Sequence, residues 1–287
     1  MTTTSRARID GPPDAWGRMR GTLCVVECEL NTDCNRSCIY CPQSKGLLPA
    51  SNQLMEDVVL DALLGDLARI GFSGRFSHHL YGEPLLHPAL AERVRRVGDA
   101  VPGAVQVLFT NGDLLTDDRH AELLDAGIAL FAVTRHQPGP YPTRAQQAVQ
   151  YARDLQFTSR AGSIDFLLKK KRKRLETIKT SPCLAPTEML VVGWDGKILR
   201  CYEDARREEP LGDLRTHTLG AIWAASEPMR QALTCGARVT AAGPCSGCDN
   251  TNHTIPGQSV ATEPFWESHP EAVSVAARAL GRLLRAG

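Results

Sequence analysis

Ten cysteines in two separate groups constrain this 287-residue chain more than any other feature. Five lie between residues 24 and 41, five lie between residues 183 and 248, and the segment between the groups has none. The first twenty residues lack the apolar core of a signal peptide, and no stretch approaches the roughly 20 apolar residues of a membrane span. We therefore expect a cytoplasmic protein whose reduced thiols bind metal or take part in catalysis.

Three cysteines of the first group, Cys34, Cys38 and Cys41, form a CxxxCxxC motif after a predicted strand at residues 22–32. Thiolates suit iron–sulfur clusters and zinc, and this spacing lets one loop wrap a single site. A [4Fe–4S] cluster bound by three thiolates keeps one iron open, whereas a structural zinc site has four protein ligands. Cys28 could supply a fourth ligand, but it lies inside the predicted strand. We therefore expect a cluster with an open iron, with a zinc site on a non-catalytic scaffold as the alternative.

Strands and helices alternate along the first 160 residues, which predicts a parallel sheet. A complete eight-fold barrel takes about 250 residues, so the four or five strand–helix units of this segment suit a partial barrel, and the expected fold class is a partial (β/α)6 barrel. Motifs that follow parallel strands lie at one rim of such a sheet, and the three cysteines should meet the segments 81–84 and 110–112 there. The predicted strands are 22–32, 76–80, 105–109 and 128–134, and the predicted helices are 55–70, 89–101, 117–125 and 143–155.

The second group of cysteines belongs to a different kind of module. Asp195-Gly196 predicts the turn of a β-hairpin, and residues 219–233 predict a helix. Four thiolates, from Cys183, Cys201, Cys245 and Cys248, can close a cluster completely, and zinc is again the alternative. The predicted organisation is a flexible N-terminus at 1–20, a barrel at 21–175, a small β-hairpin-plus-helix iron–sulfur module at 176–255 and a helical tail at 256–287.

Cys235 is the spare thiol of this second group. It is either a buried structural residue or a catalytic thiol that gives a hydrogen atom to a substrate radical. If Cys235 binds the metal instead, Cys183 becomes the free thiol.

The segment ELNTDCNRSCIYCP resembles the signature loop of the radical S-adenosylmethionine superfamily. This resemblance implies that S-adenosylmethionine chelates the open iron, that a flavodoxin- or ferredoxin-type donor supplies an electron, and that a 5′-deoxyadenosyl radical abstracts a substrate hydrogen. The segment YGEPLLHP is similar to the family's GGEP segment, which binds the methionine amino group, with Tyr81 in place of the first glycine. TNGDLL resembles the next loop over the cofactor, and Tyr40 matches the aromatic residue beside adenine. The implied cofactor-binding residues are Tyr40, Gly82, Glu83, Pro84, Thr110 and Asn111.

The C-terminal cysteines resemble the auxiliary-cluster modules called SPASM and twitch. No cysteine follows Cys248, so the one-cluster twitch type fits better, and the resemblance implies two [4Fe–4S] clusters in all. Enzymes of this kind resemble the sugar and aminocyclitol epimerases and dehydrogenases of aminoglycoside biosynthesis. The spare thiol places epimerisation of a carbinol carbon slightly ahead of dehydrogenation. The alternative is a maturase of ribosomally made peptides, but such relatives often carry a further N-terminal domain, for which the 33 residues before Cys34 leave no room.

Charge gives little further information about partners. The chain has 33 basic and 32 acidic residues, so we expect neither a nucleic acid nor a membrane as partner. The basic run at residues 169–174 predicts a solvated loop, with contact to a nucleic acid or to another anionic group as alternatives.

A dehydrogenation also needs a general base that takes the proton of the substrate hydroxyl. Arg135, His136 and Asp204 are the candidates for this base.

Overall fold

The computed structural model describes residues 7–48, 51–134, 148–151, 181–238 and 243–250. The candidate bases Arg135 and His136, the basic run at 169–174 and the predicted tail at 256–287 lie outside these residues. Within the described residues, no helix is long and apolar enough to cross a membrane.

One sheet of eight strands organises the described residues, in the order β5-β4-β3-β2-β1-β6-β7-β8. The first six of these are parallel neighbours, as a partial (β/α)6 barrel requires, and β7 and β8 add antiparallel strands at one side. The strands are β1 Val25–Cys28, β2 Arg75–Ser77, β3 Val105–Thr110, β4 Leu130–Thr134, β5 Ala148–Tyr151, β6 Met189–Val192, β7 Lys197–Leu199 and β8 Gly212–Asp213.

Seven α-helices accompany the sheet in the described residues, and three of them confirm predicted helices closely. The helix predicted at 55–70 runs over Asp57–Ile70 and ends at Gly71, whose φ of 60° is the left-handed conformation that glycine adopts easily. The helices are α1 Pro13–Thr22, α2 Asp57–Ile70, α3 Leu90–Ala100, α4 Asp117–Ala126, α5 Ala185–Glu188, α6 Leu219–Ala225 and α7 Glu227–Thr234.

Helix α1 lies in and just after the segment for which the sequence predicts flexibility. Its Trp16 and Met19 are buried in the main core. Trp16 packs on Gly220 of α6 so closely that a Cβ at residue 220 would lie 2.3 Å from the indole ring. The N-terminal helix is therefore fixed to the C-terminal part of the chain.

Two predicted helices differ from the structure. Residues 148–151, expected within the helix at 143–155, form β5 and pair with β4, so sheet pairing overrides local helix preference there. The helix predicted at 219–233 is broken at Ser226 into α6 and α7, because Pro228 in the first turn of α7 cannot continue the preceding helix.

The hairpin predicted at Asp195-Gly196 is present, but its first strand has an unexpected neighbour. Strand β6 pairs in parallel with β1, with Val25 opposite Met189 and Cys28 opposite Val192. The hairpin of the predicted second module therefore belongs to the sheet of the barrel.

Alternate residues of the strands face two different environments. One set, which includes Val26, Phe76 and Leu108, packs with the helices in the main hydrophobic core. A second cluster, formed by Cys24, Val25, Met189, Val191 and Leu199, lies on the opposite face of the sheet. The opposite face also carries Glu27 and Arg75, which makes it the polar interior of the barrel.

Candidate active site

The loop with the first three cysteines follows the carboxyl end of β1. Cys34, Cys38 and Cys41 are half-buried, and the Cys41 N–H donates to the Cys38 carbonyl at 3.0 Å. Ser44 Oγ closes the loop by donating to the carbonyls of Cys38 and Cys41. Burial, with a smaller effect from the neighbouring thiolates of Cys41 and Cys38, raises the pKa of Cys34. The loop therefore turns three thiols toward one place, where a positive centre would stabilise their thiolate forms.

Cys28 is not part of this group. It is fully buried in β1, and its thiol contacts the Met55 sulfur at 3.8 Å. Burial raises its pKa, so it remains a core thiol. Cys24 is likewise buried, and burial raises its pKa to about 12.

The loop after β2 is joined to the cysteine loop by its backbone. The Glu83 N–H donates to the Asp33 carbonyl at 2.7 Å, and Asn31 Nδ2 donates to the Glu83 carbonyl at 3.0 Å. Gly82 fits this contact because a Cβ there would lie 2.2 Å from the Asn31 carbonyl oxygen. A side chain at position 82 would therefore push the two loops apart.

The Glu83 carboxylate connects this loop to the next one. Its Oε1 accepts from Thr110 Oγ1 at 2.6 Å and from the Leu85 N–H at 3.1 Å, and its Oε2 accepts from the Asn111 N–H at 2.8 Å. Burial raises its pKa, whereas these donors favour the charged form. A carboxylate has about four acceptor sites, so one remains for a ligand. Glu83 thus holds two loops of the rim together, in addition to the ligand contact that the sequence implies. Pro84, the next residue, begins a short 3-10 helix.

The loop after β3 completes the rim. Asn111 Nδ2 donates to Asn35 Oδ1 at 2.8 Å and lies 4.0 Å from the Cys34 sulfur. Asp113 accepts from Arg36 Nε at 2.7 Å. The structure therefore brings the segments 81–84 and 110–112 against the cysteine loop, as the sequence predicts, and Asp113 adds a further contact. Tyr40 lies half-buried in the cysteine loop, between Cys38 and Cys41.

A group of polar side chains that we did not predict lies in the barrel interior. Arg75 Nη2 donates to Glu27 Oε1 at 2.7 Å, and His79 Nδ1 lies 3.3 Å from Glu27 Oε2. The Phe109 ring stacks on His79 at 4.5 Å between centroids and lies 5.1 Å from the Arg75 guanidinium. Ser77 is fully buried beside them, and its hydroxyl makes no hydrogen bond within the described residues. The sequence does contain a sign of this group, because Glu27 and Arg75 are charged residues within otherwise apolar strands. A buried charge is costly unless it is paired or binds a ligand.

The second group of cysteines meets in one cavity. Cys183, Cys201, Cys245 and Cys248 line it together with Leu233 and Arg238. The backbone N–H of Glu203 donates to the Cys201 sulfur at 3.4 Å, and that of Asn250 donates to the Cys248 sulfur at 3.5 Å. Burial raises the pKa of all four thiols. The other three thiols raise the pKa of Cys201 further.

Cys235 lies apart from this cavity. It is exposed at the end of α7 and is absent from the lining. The expectation that Cys235 is a buried thiol is therefore wrong, and its position gives no support to a role as hydrogen donor to a substrate.

Asp204, the remaining candidate base, is buried and accepts a hydrogen bond from the Arg207 N–H at 3.2 Å. Burial raises its pKa.

The donor chemistry of the two groups fits iron–sulfur clusters, because thiolates are the soft ligands that such clusters take. Three thiolates leave one iron of a cubane cluster open, whereas the four that line the second cavity can close a cluster completely.

Comparison with known proteins agrees with this geometry. A model of the radical SAM superfamily matches residues 29–168, and a model of an iron–sulfur cluster-binding domain, SPASM, matches residues 183–249. The S-adenosyl-L-methionine-dependent 2-deoxy-scyllo-inosamine dehydrogenase of Niallia circulans is 30% identical over 210 residues, which cover 69% of this chain and 81% of that protein. A GTP 3′,8-cyclase of Chlorobaculum tepidum is 33% identical over 115 residues, which cover 40% of this chain and 32% of that protein.

A solved structure gives the same assignment. The crystal structure of BtrN in complex with AdoMet and 2-DOIA matches with a TM-score of 0.72 and 28% identity, over 82% of this chain and 96% of that one. The predicted partial barrel with a C-terminal module is thereby confirmed. The chain therefore belongs to the radical S-adenosylmethionine superfamily, as an enzyme whose cofactors are S-adenosylmethionine and two [4Fe–4S] clusters.

Proposed function

We propose that this enzyme is a dehydrogenase that oxidises a carbinol carbon of a small aminocyclitol. The observation that carries this proposal is the group of Glu27, Arg75 and His79, which lies in the barrel interior beneath the rim that holds the three-cysteine loop. A small polyhydroxylated ring with an amino group offers the donors and acceptors that these side chains can bind. The dehydrogenase of Niallia circulans, whose named substrate is 2-deoxy-scyllo-inosamine, supports the same substrate class.

In this proposal Cys34, Cys38 and Cys41 would hold the first cluster and leave one iron open for S-adenosylmethionine. When bound, this cofactor supplies the 5′-deoxyadenosyl radical that abstracts a hydrogen atom from the substrate. Gly82, Pro84 and the Glu83 carboxylate shape the cradle for its methionine end. Thr110 and Asn111 would close the cradle from the next loop, and Tyr40 would flank the adenine.

The interior side chains orient the substrate and accept its proton. Glu27 is the carboxylate suited to a substrate ammonium, and the buried Ser77 hydroxyl is available to a substrate oxygen. Oxidation of an alcohol to a ketone releases the hydroxyl proton. His79 Nδ1 and Glu27 Oε2, 3.3 Å apart in the barrel interior, are the groups to which we assign this proton.

Cys183, Cys201, Cys245 and Cys248 would hold the second cluster in this proposal. A cluster closed by these four thiolates would supply an acceptor for the second electron of a dehydrogenation. Epimerisation, the reaction that the spare thiol favours slightly in the sequence, needs a hydrogen donor on the opposite face of the substrate. The exposed position of Cys235 and the dehydrogenase among the relatives both favour oxidation.

Isotope transfer tests the reaction. The reduced enzyme is incubated anaerobically with aminocyclitols that carry deuterium on each carbinol carbon in turn, and mass spectrometry follows the label. We expect deuterium in 5′-deoxyadenosine and a ketone product. An epimer that has taken up hydrogen from solvent, or activity with leader-bearing peptides and none with aminocyclitols, would contradict the proposal.

The role of the interior group is tested by Glu27→Gln. We expect a fall in kcat/KM of at least about 100-fold, because the variant loses both the charge that holds the ammonium and one of the two assigned proton acceptors. The control is Asp125→Asn, which removes a carboxylate that is 81% exposed on α4. Equal activity of the two variants would contradict the assigned role of Glu27.

The ligand sets are tested by iron and sulfide analysis of single Cys→Ala variants. The wild-type protein should contain about eight irons, since each cluster contributes four. Cys34→Ala and Cys201→Ala should each keep about four, whereas Cys235→Ala, the matched control, should keep about eight. Loss of iron from Cys235→Ala with full retention in Cys183→Ala would exchange the roles of these two thiols.

A further inference from the structure

Tyr81 occupies the position at which the related motif has a glycine, and its side chain reaches the other cysteine group. The residue is 8% exposed, and its Oη donates a hydrogen bond to the carbonyl oxygen of Tyr202. Tyr202 directly follows Cys201, so this bond connects the rim of the barrel with the loop of the second cysteine group. A glycine at position 81 could not make the connection.

The peptide that Tyr81 contacts is also a donor to sulfur. The Tyr202 carbonyl and the Glu203 N–H belong to one peptide group, and that N–H donates to the Cys201 sulfur at 3.4 Å. A hydrogen bond accepted at a carbonyl polarises the peptide and strengthens its N–H as a donor. The Tyr81 hydroxyl therefore both orients and strengthens the N–H···S bond.

The second N–H···S bond of the cavity is supported by other residues. The Asn250 N–H donates to the Cys248 sulfur at 3.5 Å, while Arg238 Nη1 fixes the Asn250 carbonyl at 2.7 Å. Asn250 Nδ2 donates to Tyr202 Oη at 2.7 Å. The Tyr202 side chain thus supports the Cys248 side of the cavity, whereas its backbone carbonyl serves the Cys201 side. The two hydroxyls, of Tyr81 and Tyr202, can be removed separately.

We propose that Tyr81 is a positioning residue that raises the reduction potential of the second cluster through the Tyr202–Glu203 peptide and the Cys201 sulfur. Hydrogen bonds to a cluster's sulfurs stabilise the reduced, more negative state, and they are one of the factors that set its potential. This inference rests on the proposed function, in which Cys201 is a ligand of that cluster. It assigns to Tyr81, which directly precedes Gly82 and Glu83 on the rim, a task at the second cluster.

Redox titration followed by electron paramagnetic resonance tests the proposal in the protein with both clusters. The signal of the first cluster is identified by its change on addition of S-adenosylmethionine. Tyr81→Phe should shift the midpoint potential of the second cluster to a more negative value and leave that of the first unchanged. Replacement of Tyr81 by 3-fluorotyrosine, which keeps the hydroxyl and makes it a stronger donor, should shift it in the positive direction.

Tyr202→Phe is the matched control, because it removes a hydroxyl from the same loop and leaves the Tyr202 carbonyl in place. A purely structural role for Tyr81 would not give shifts of opposite sign in its two variants. An unchanged potential in both variants, or an equal shift in Tyr81→Phe and Tyr202→Phe, would overturn the proposal. If the Tyr81→Phe protein does not retain its iron, the 3-fluorotyrosine variant alone tests the proposal. A shift of its midpoint potential in the positive direction supports the role of Tyr81, and no shift or a negative one overturns it.

The Cys201→Ala variant separates this inference from the proposed function. If it keeps about eight irons, Cys201 is not a ligand and the proposed ligand set fails. If it keeps about four while the Tyr81 variants show no shift, the ligand set stands and the role of Tyr81 is wrong.

Discussion

Several single residues of the rim have tasks that their sequence motif does not show. Glu83 was expected to meet a ligand, yet three protein donors already occupy its carboxylate. Tyr81 appeared as a departure from a motif, and it proves to be a contact between the two cysteine groups. Residue types and spacing predict which chemistry is present, but the partner of each atom depends on loops that meet only in the fold.

His78 gives a residue-level prediction about pH. It is fully buried, its Nε2 lies 2.7 Å from Gln106 Oε1, and burial lowers its pKa from 6.5 to about 4. The folded protein therefore keeps this ring neutral where the unfolded chain would protonate it. The stabilisation is present above pH 6.5 and is lost as the pH falls toward 4.

The measurement is urea denaturation under anaerobic conditions at pH 7 and pH 5. Between these values His78 should account for a loss of about 2 kcal/mol in the free energy of unfolding. In His78→Gln this loss should be smaller by that amount, and the part due to His87, whose pKa is also lowered to about 4, should remain. The same pH dependence in wild type and variant would show that His78 is not kept neutral.

At the scale of elements, an ion pair fixes the second cysteine loop to the first strand of the barrel. Arg207 Nη2 lies 2.5 Å from both carboxylate oxygens of Glu29, and both side chains are buried. Glu29 also accepts from the Trp194 N–H at 3.2 Å. Glu29 is the residue after β1, and Arg207 follows Cys201, so the pair determines where the loop with Cys201 sits against the barrel.

We expect Arg207→Met to lower the free energy of unfolding by about 3–5 kcal/mol, because it leaves the Glu29 carboxylate buried without its cation. The double variant Glu29→Gln with Arg207→Met should be more stable than Arg207→Met alone. Arg18→Met is the control, since Arg18 and Asp14 form an exposed pair that water screens, so its loss should change the stability little. Equal losses in the two Arg variants, measured by chemical denaturation, would contradict the assigned role.

The helices and strands show where sequence patterns suffice. Helix α2 was predicted within two residues because Leu60, Leu63, Leu64 and Leu67 repeat at helical spacing before Gly71. Strand β5 was not, because its pairing with β4 is a long-range contact that local preference does not report. The interior group of Glu27, Arg75 and His79 was missed for a similar reason, since which alternate residues of a strand face inward depends on its neighbours.

At the scale of the whole molecule, the two cysteine groups belong to one folded unit. Strand β6 lies beside β1 within the sheet, and the α6 residues Leu219, Ile222 and Trp223 are part of the main core. The sequence predicts two modules with a boundary at residue 175, whereas the sheet continues across that boundary. The number and grouping of the cysteines indicate two sites, but they do not show that strand β6 connects the two parts through its pairing with β1.

This continuity predicts the behaviour of a truncated chain that ends at residue 180. Without β6 and α6 it exposes one side of β1 and the buried faces of Trp16 and Met19. We expect it to show no cooperative unfolding transition in urea by circular dichroism. Coexpression with residues 181–287 should restore a soluble complex. A cooperative transition in the isolated fragment would show that the barrel folds without its second part.

The place of β6 beside β1 also concerns the order of events during synthesis. Strands β1 to β4 leave the ribosome well before β6, yet the sheet cannot close around β1 until residues 189–192 have emerged. Contacts between such distant parts of a chain form slowly, and the unpaired edge is exposed to aggregation in the meantime. The loop of Cys34, Cys38 and Cys41 is anchored at the end of β1, so it reaches its final shape late. Cluster insertion at the first site is therefore expected to follow translation of the second cysteine group rather than to precede it.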